Sequence, residues 1–330
     1  MTKPKTKTEY VGLLVIGDPH IEGRQPGFRK DDFPNVILRK VEWCLQYAQT
    51  NRLLPTFLGD TFDKPRDNPT WMLGRLIEMM SGVDSIGIYG NHDCADPTLN
   101  DHDSLSILIK AGCLRLVSEQ SPWKGTMNGR KVLVGGSSYR QSIPEEFNLP
   151  ASQPKTLFDS DPFVVWITHH DIDIAGYENG RFKPYEIGNV DLLINGHIHR
   201  RLETVQAGST TWMTPGNISR RSRSEANRNH KPTVLRIDVQ SNQHTITDVE
   251  VPHEPHNEVF HDSIIEPQVT QSSSNFVAGL AELTARRTES GAGLHEFLAE
   301  NISQFEPAVA REITSLANEV TDTGEMKNGE

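Results

Sequence analysis

Cysteine is scarce in this chain: three in 330 residues, Cys44, Cys94 and Cys113. An odd and scattered set argues against a disulfide framework and fits a reducing cytoplasm. No run of about 18 apolar residues occurs, which excludes a helix that spans a membrane. The N-terminal text MTKPKTKTEYVGLLVIGD is basic and then apolar, but it lacks a small-residue cleavage site, so no secretory signal is expected. Internal repeats are missing too. What the chain has is 35% hydrophobic and 23% charged residues, enough for a sizeable core, and 13 histidines.

The net charge of -11 looks hostile to polyanions, but it is unevenly spread. Residues 1–247 hold 29 Lys and Arg against 28 Asp and Glu, whereas residues 248–330 hold 4 against 16. The acidity sits in the tail and excludes no polyanionic substrate at the other end.

Strand-like runs alternate with helical spacing. Apolar runs at 10–18, 53–60, 85–93, 131–136, 163–170 and 191–199 read as strands. Residues 35–50, 68–82 and 105–112 read as helices, with Asn68 the expected cap before Pro69 at the first helical position. The alternating runs 233–239 and 245–251 suggest a hairpin. This order predicts βαβ units and helix-covered sheets. The domain expected is residues 1–252, followed by a polar linker at 253–275 and an acidic helical C-terminal extension at 276–330.

Metal-type ligands recur where these runs end: Asp18 and His20 in GDPH, Asp60 and Asp63 in GDTFD, Asn91 and His92 in GNHD, His169 and His170 in THHD, His197 and His199 in GHIH. Ligands of open α/β sheets gather at the carboxyl ends of strands. A lone Asp-x-His is usually just a turn. Five such turns in order, each after an apolar run, point to convergence on one place. The donors include no thiolate, which argues against a structural zinc site and for Mn, Fe, Zn or Ni on imidazole and carboxylate. Two cations about 3.5–4 Å apart, bridged by one Asp, would clamp a phosphate between attacking and leaving oxygens.

The ordered set D-x-H, G-D-x-x-D, G-N-H-D, H, G-H-x-H resembles the calcineurin-like metallophosphoesterases. The resemblance implies a four-layer α/β/β/α sandwich and a phosphodiester hydrolase. It implies one cation on Asp18, His20, Asp60 and His199, and a second on Asp60, Asn91, His169 and His197. Mn2+ is the favoured ion. In THHD the ligand is His169 or His170, and family usage favours the first. His92 would assist the leaving group, with Asp63 orienting it, while hydroxide generated at the metals attacks phosphorus.

Within the family, HIEGRQPGFRKDDF (20–33), GDTFDKP (59–65) and TPGNISRRS (214–222) resemble the SbcD-like DNA-repair nucleases. That branch implies DNA as substrate, an SbcC-type ATPase partner docked through C-terminal helices, a homodimer and a cytoplasmic setting. Arg24, Arg220 and Arg221 are the candidate substrate contacts. The alternatives are a small-molecule phosphatase or phosphodiesterase, and a metal-bound scaffold that recruits a partner.

Overall fold

A computed structural model describes residues 9–26, 29–148, 162–177, 180–221 and 228–261. The acidic extension at 276–330, and all but the start of the expected linker, lie outside the described residues.

Two six-stranded mixed sheets form the body. In the first, β1 (Gly12–Ile16), β2 (Leu53–Phe57), β3 (Ile86–Gly87) and β4 (Arg115–Leu116) run parallel. The antiparallel hairpin of β11 (Thr233–Val239) and β12 (His244–Glu250) adds to β1. In the second sheet, β6 (Arg130–Ser137), β7 (Phe163–Thr168), β8 (Leu192–Asn195) and β10 (Thr210–Met213) run parallel. There β5 (Trp123–Met127) and β9 (Val205–Ala207) form antiparallel edges.

The period of two decides what each residue covers. Leu13 and Val15 of β1 join Leu54, Ile86, Val134, Val165, Ile167, Leu192 and Ile194 in a core between the sheets. Leu14 and Ile16, one residue out of phase, face the helices α1 (Phe33–Thr50), α2 (Thr70–Met80) and α3 (Ser104–Lys110) through Phe33, Ile37, Val41, Met72, Leu76 and Leu105. Strands buried on both faces read as continuous apolar runs rather than alternation, and β1, β2 and β7 are buried throughout.

The outer face of the second sheet carries its own core of Leu133, Val164, Trp166, Leu193 and Trp212. Among the described residues it is covered by loop segments bearing Phe147, Ile172, Ile187 and Ile198 rather than by helices. The α/β sandwich is therefore present with few helices.

Asp32 caps α1, its carboxylate accepting from the Asn35 amide, with a proline in the first turn. At α2 the expected cap is not used. Pro69 is itself the cap residue. Asn68 instead donates to the Lys64 carbonyl at 2.6 Å and to Ser104 Oγ at 2.9 Å, tying its loop to the start of α3. Beyond β12 the chain stays packed: Val259 and Phe260, around a short helix α4 (His256–Val259), are buried, and Arg29 pairs with Phe260 in an isolated bridge.

Candidate metal centre

All the candidate ligands lie in loops at the carboxyl ends of parallel strands. Asp18 and His20 follow β1, Asp60 follows β2, and Asn91 and His92 follow β3. His169 follows β7, and His197 and His199 follow β8. Three adjacent strands of the first sheet and two of the second thus aim their ends at one edge of the sandwich.

Three groups of donor atoms form there among the described residues: His20, Asp63 and His92 lie beside two that share Asp60. Asp18, His20, Asp60 and His199 make one, and Asp60, His169 and His197 make the other. Asp60 belongs to both: its Oδ2 lies 3.5 Å from His20 Nε2 and 3.2 Å from His169 Nε2. Asn91 Oδ1 sits 3.1 Å from His169 Nε2 and 3.2 Å from His197 Nδ1, inside the second group. His20 and His199 point their Nε2 atoms at each other, 2.9 Å apart.

The loops are held under strain. Asp18, His20, Asp60 and His197 have φ of 36°, 47°, 45° and 68°. Left-handed backbone at non-glycine residues costs of order 1–3 kcal/mol each and persists only where the surroundings enforce it. The surroundings do enforce it: Asp18 Oδ1 accepts from the His197 amide at 2.9 Å, and Asp60 Oδ1 from the His92 amide at 2.8 Å. Close approach explains Gly90. A Cβ there would stand 2.2 Å from Asp60 Oδ1 and 2.7 Å from His169 Cε1.

The ring nitrogens are oriented for ligation. His169 Nδ1 lies 2.7 Å from the Leu58 carbonyl, which can only accept. That fixes the proton on Nδ1 and turns Nε2 into the cluster. His20 Nδ1 lies 3.4 Å from Asp63 Oδ1, leaving its Nε2 inward. Burial pushes Asp18 up to about 6 and His20 down to about 4. At His169 burial also opposes charge, but the facing Asp60 outweighs it and pushes the ring up to about 10. Burial would raise Asp60 as well, and His169 holds it well below the usual carboxylate range.

This donor set fits divalent cations. Asp18 Oδ2 is buried with no hydrogen-bond partner, a carboxylate oxygen that only a cation or a proton would satisfy. Asp18, His20, Asp60 and His169 form a buried floor, and Asn91, His92, His197 and His199 form a lip that solvent reaches.

Other candidates fall in different places. His170 is outside the cluster, its Nε2 2.7 Å from the Gln141 carbonyl and its ring against Phe182. Asp63 touches His92 chiefly through its backbone: His92 Nδ1 is 2.9 Å from the Asp63 carbonyl and 3.6 Å from its carboxylate. That carboxylate binds Arg221 at 2.6 Å. Burial would raise Asp63, but His20 and Arg221 hold it at about 2. Arg221 therefore stands at the lip. Arg220, its neighbour, is turned inward and donates to the His230 and Glu254 carbonyls. Arg24 is exposed and paired with Asp67.

Asp93 escaped the sequence reading. It is fully buried and accepts from the Phe62 and Gly90 amides, clasping the two loops that carry Asp60 and Asn91. Its place in GNHD was the available signal.

The calcineurin-like phosphoesterase family matches residues 12–201. The chain belongs to this family. It is therefore a hydrolase of phosphoric esters, and the His and Asp groups are its candidate divalent-metal site. No curated protein matches the chain. Among solved structures, it is 13% identical to a conserved Streptococcus pneumoniae TIGR4 protein described as a predicted phosphoesterase, covering 74% of this chain and 91% of that one, with a TM-score of 0.32. It is 12% identical to GAP50, the anchor in the inner membrane complex of Plasmodium, covering 73% and 84%, with a TM-score of 0.40. No helix among the described residues is long and apolar enough to cross a membrane.

Proposed function

We propose that this metallophosphoesterase is a DNA nuclease of the SbcD-like kind, cutting phosphodiesters at a pair of divalent cations, Mn2+ by preference. The observation that carries the reading is Arg221, from the TPGNISRRS segment, standing beside Asp63 and His92 at the open lip. A guanidinium there suits a phosphate of a polymer lying across the edge. The near balance of charge in residues 1–247 permits such a substrate.

Asp18, His20, Asp60 and His199 would hold one cation, and Asp60, Asn91, His169 and His197 the other. When bound, the cations supply Lewis acidity to the phosphate oxygens and lower the pKa of water. The chain's own part is orientation and proton transfer. His92 Nδ1 is held by a carbonyl that only accepts, so Nδ1 carries a proton and Nε2 is left for the substrate. As imidazolium, His92 donates from Nε2 to the leaving oxygen. Asp63 anchors His92 through its carbonyl and Arg221 through its carboxylate.

A second copy of the chain and an SbcC-type ATPase are the protein partners this reading implies, in a cytoplasmic setting. The test is Mn2+-dependent cleavage of linear and circular, single- and double-stranded DNA, run beside bis-p-nitrophenyl phosphate. Wild type should cut DNA, and His92→Ala should be slower by roughly 10²–10⁴-fold. Hydrolysis of the small diester alone would reject DNA as the substrate of the chain by itself and favour the small-molecule phosphodiesterase.

A further inference from the structure

Away from the metal lip, α1 and the segment after β12 border a half-open cleft of about 420 Å³. That volume falls within the range of small-molecule sites, roughly 300–1,000 Å³. Its lining carries four cations, Arg29, Arg39, Lys40 and Arg220, against two carboxylates, Asp31 and Glu254. Three of the cations are more than nine-tenths buried: Arg29 and Arg220 are 7% exposed and Lys40 is 8% exposed. Buried charge without a counter-charge is costly.

The partners present do not balance it. Asp31 takes Arg29 in a two-pronged pair at 2.8 and 2.6 Å. Among the described residues Lys40 has one acceptor, the Ile218 carbonyl at 2.9 Å. Arg220 donates, among the described residues, only to the His230 and Glu254 carbonyls, and the carboxylate whose charge reaches it, Glu250, is exposed. Glu254 is itself exposed. Burial, with Arg29 and Arg220 close by, pushes Lys40 down to about 7, as crowded positive charge would. The rest of the wall is His253 and the apolar Val36, Trp43, Pro252 and Val259.

We propose that this cleft is a binding site for a small phosphomonoester dianion with a flat apolar body, a nucleoside monophosphate in class. The phosphate takes the two unbalanced positive charges of Lys40 and Arg220, and the body lies against Trp43. The pocket also reaches the metal lip through the chain. Lys40 and Arg29 hold the carbonyls of Ile218 and Arg220, and the next residue, Arg221, holds Asp63. A ligand that draws on Lys40 and Arg220 therefore bears on the segment that carries Arg221.

The test is titration of the full chain with adenosine 5′-monophosphate, followed by calorimetry and tryptophan fluorescence, with adenosine and inorganic phosphate as separate arms. Each is run with Mn2+ and again with excess chelator, because phosphate binding at the metal lip would vanish with the metal. One site per chain is expected, unaffected by chelation, with adenosine and phosphate each at least tenfold weaker. Arg39→Glu, at an exposed position, should weaken binding at least tenfold without altering the thermal midpoint, and Lys40→Met should abolish it. The fluorescence change should disappear in Trp43→Phe. Absence of binding, loss of all binding on chelation, adenosine or phosphate binding as tightly as the nucleotide, or an unchanged Arg39→Glu would each overturn the assignment.

Discussion

The two sheets contribute unequally to the metal centre. Loops from the first sheet bring every carboxylate, Asp18 and Asp60 with Asp63 behind them, together with His20, Asn91 and His92. Loops from the second bring only imidazoles, His169, His197 and His199. The two donor groups that share Asp60 nevertheless take members from both. The acidic half alone would crowd two buried carboxylates together, and the imidazole half alone brings no negative charge to hold a cation. A cation bound here ties the edges of the two sheets together. Metal affinity and sheet packing are then one linked quantity, and each half can be broken separately.

The largest effect should come from the imidazole half. His169→Ala removes a buried ring that meets Asp60, Asn91 and the Leu58 carbonyl. Divalent-metal affinity should fall at least about 100-fold, the upper end of what loss of even an outer partner costs. Because Asp60 is shared, His169→Ala should also weaken the cation that His199 helps hold. A double-mutant cycle with His199→Ala, read by metal titration, should therefore be non-additive.

Next in size is the effect of metal on the whole fold. A ligand present at 100 times its dissociation constant stabilises by about 2.7 kcal/mol. For a body of this size that is a rise of roughly 5–10 °C in thermal midpoint. Calorimetry with Mn2+ and then with chelator should show it. Equal midpoints would mean that the sheet edges are not tied by the cation.

The smallest effect separates the centre from the support behind it. Burial pushes His230 down to about 4, even though its Nε2 meets the Asn217 carbonyl. The folded chain then binds this proton less readily than the unfolded chain, whose histidine titrates near 6.5. The stabilising contribution is complete above about 6.5 and is lost as pH falls toward 4. Denaturant midpoints in chelator should decline across that window, and less so in His230→Gln.

The neighbours Arg220 and Arg221 show where sequence legibility ends. The metal loops were readable because each motif is local: an apolar strand, a turn and a ligand within a few residues. The split between the two arginines was not, because it depends on carbonyls contributed by His230 and Glu254 and on Asp63, far along the chain. Asp93 went unread for the same reason, since its carboxylate accepts from the Phe62 amide of another turn as well as from Gly90 of its own. Strands β4 and β5 were missed differently. The first is two residues long, and the second, WKGTM, is an edge strand with exposed Lys124 and Thr126, so neither leaves a clear apolar run. The loop-covered outer face of the second sheet was likewise invisible, because apolar strands announce that they are covered but not by what.

The most direct measurement is calorimetric titration of Mn2+ into the metal-free full chain and into Asp60→Asn. A shared carboxylate predicts two cations per wild-type chain and the weakening of both in the variant. Two sites in wild type with only one weakened in Asp60→Asn, or a variant that binds as wild type does, would contradict the bridge and with it the linked centre.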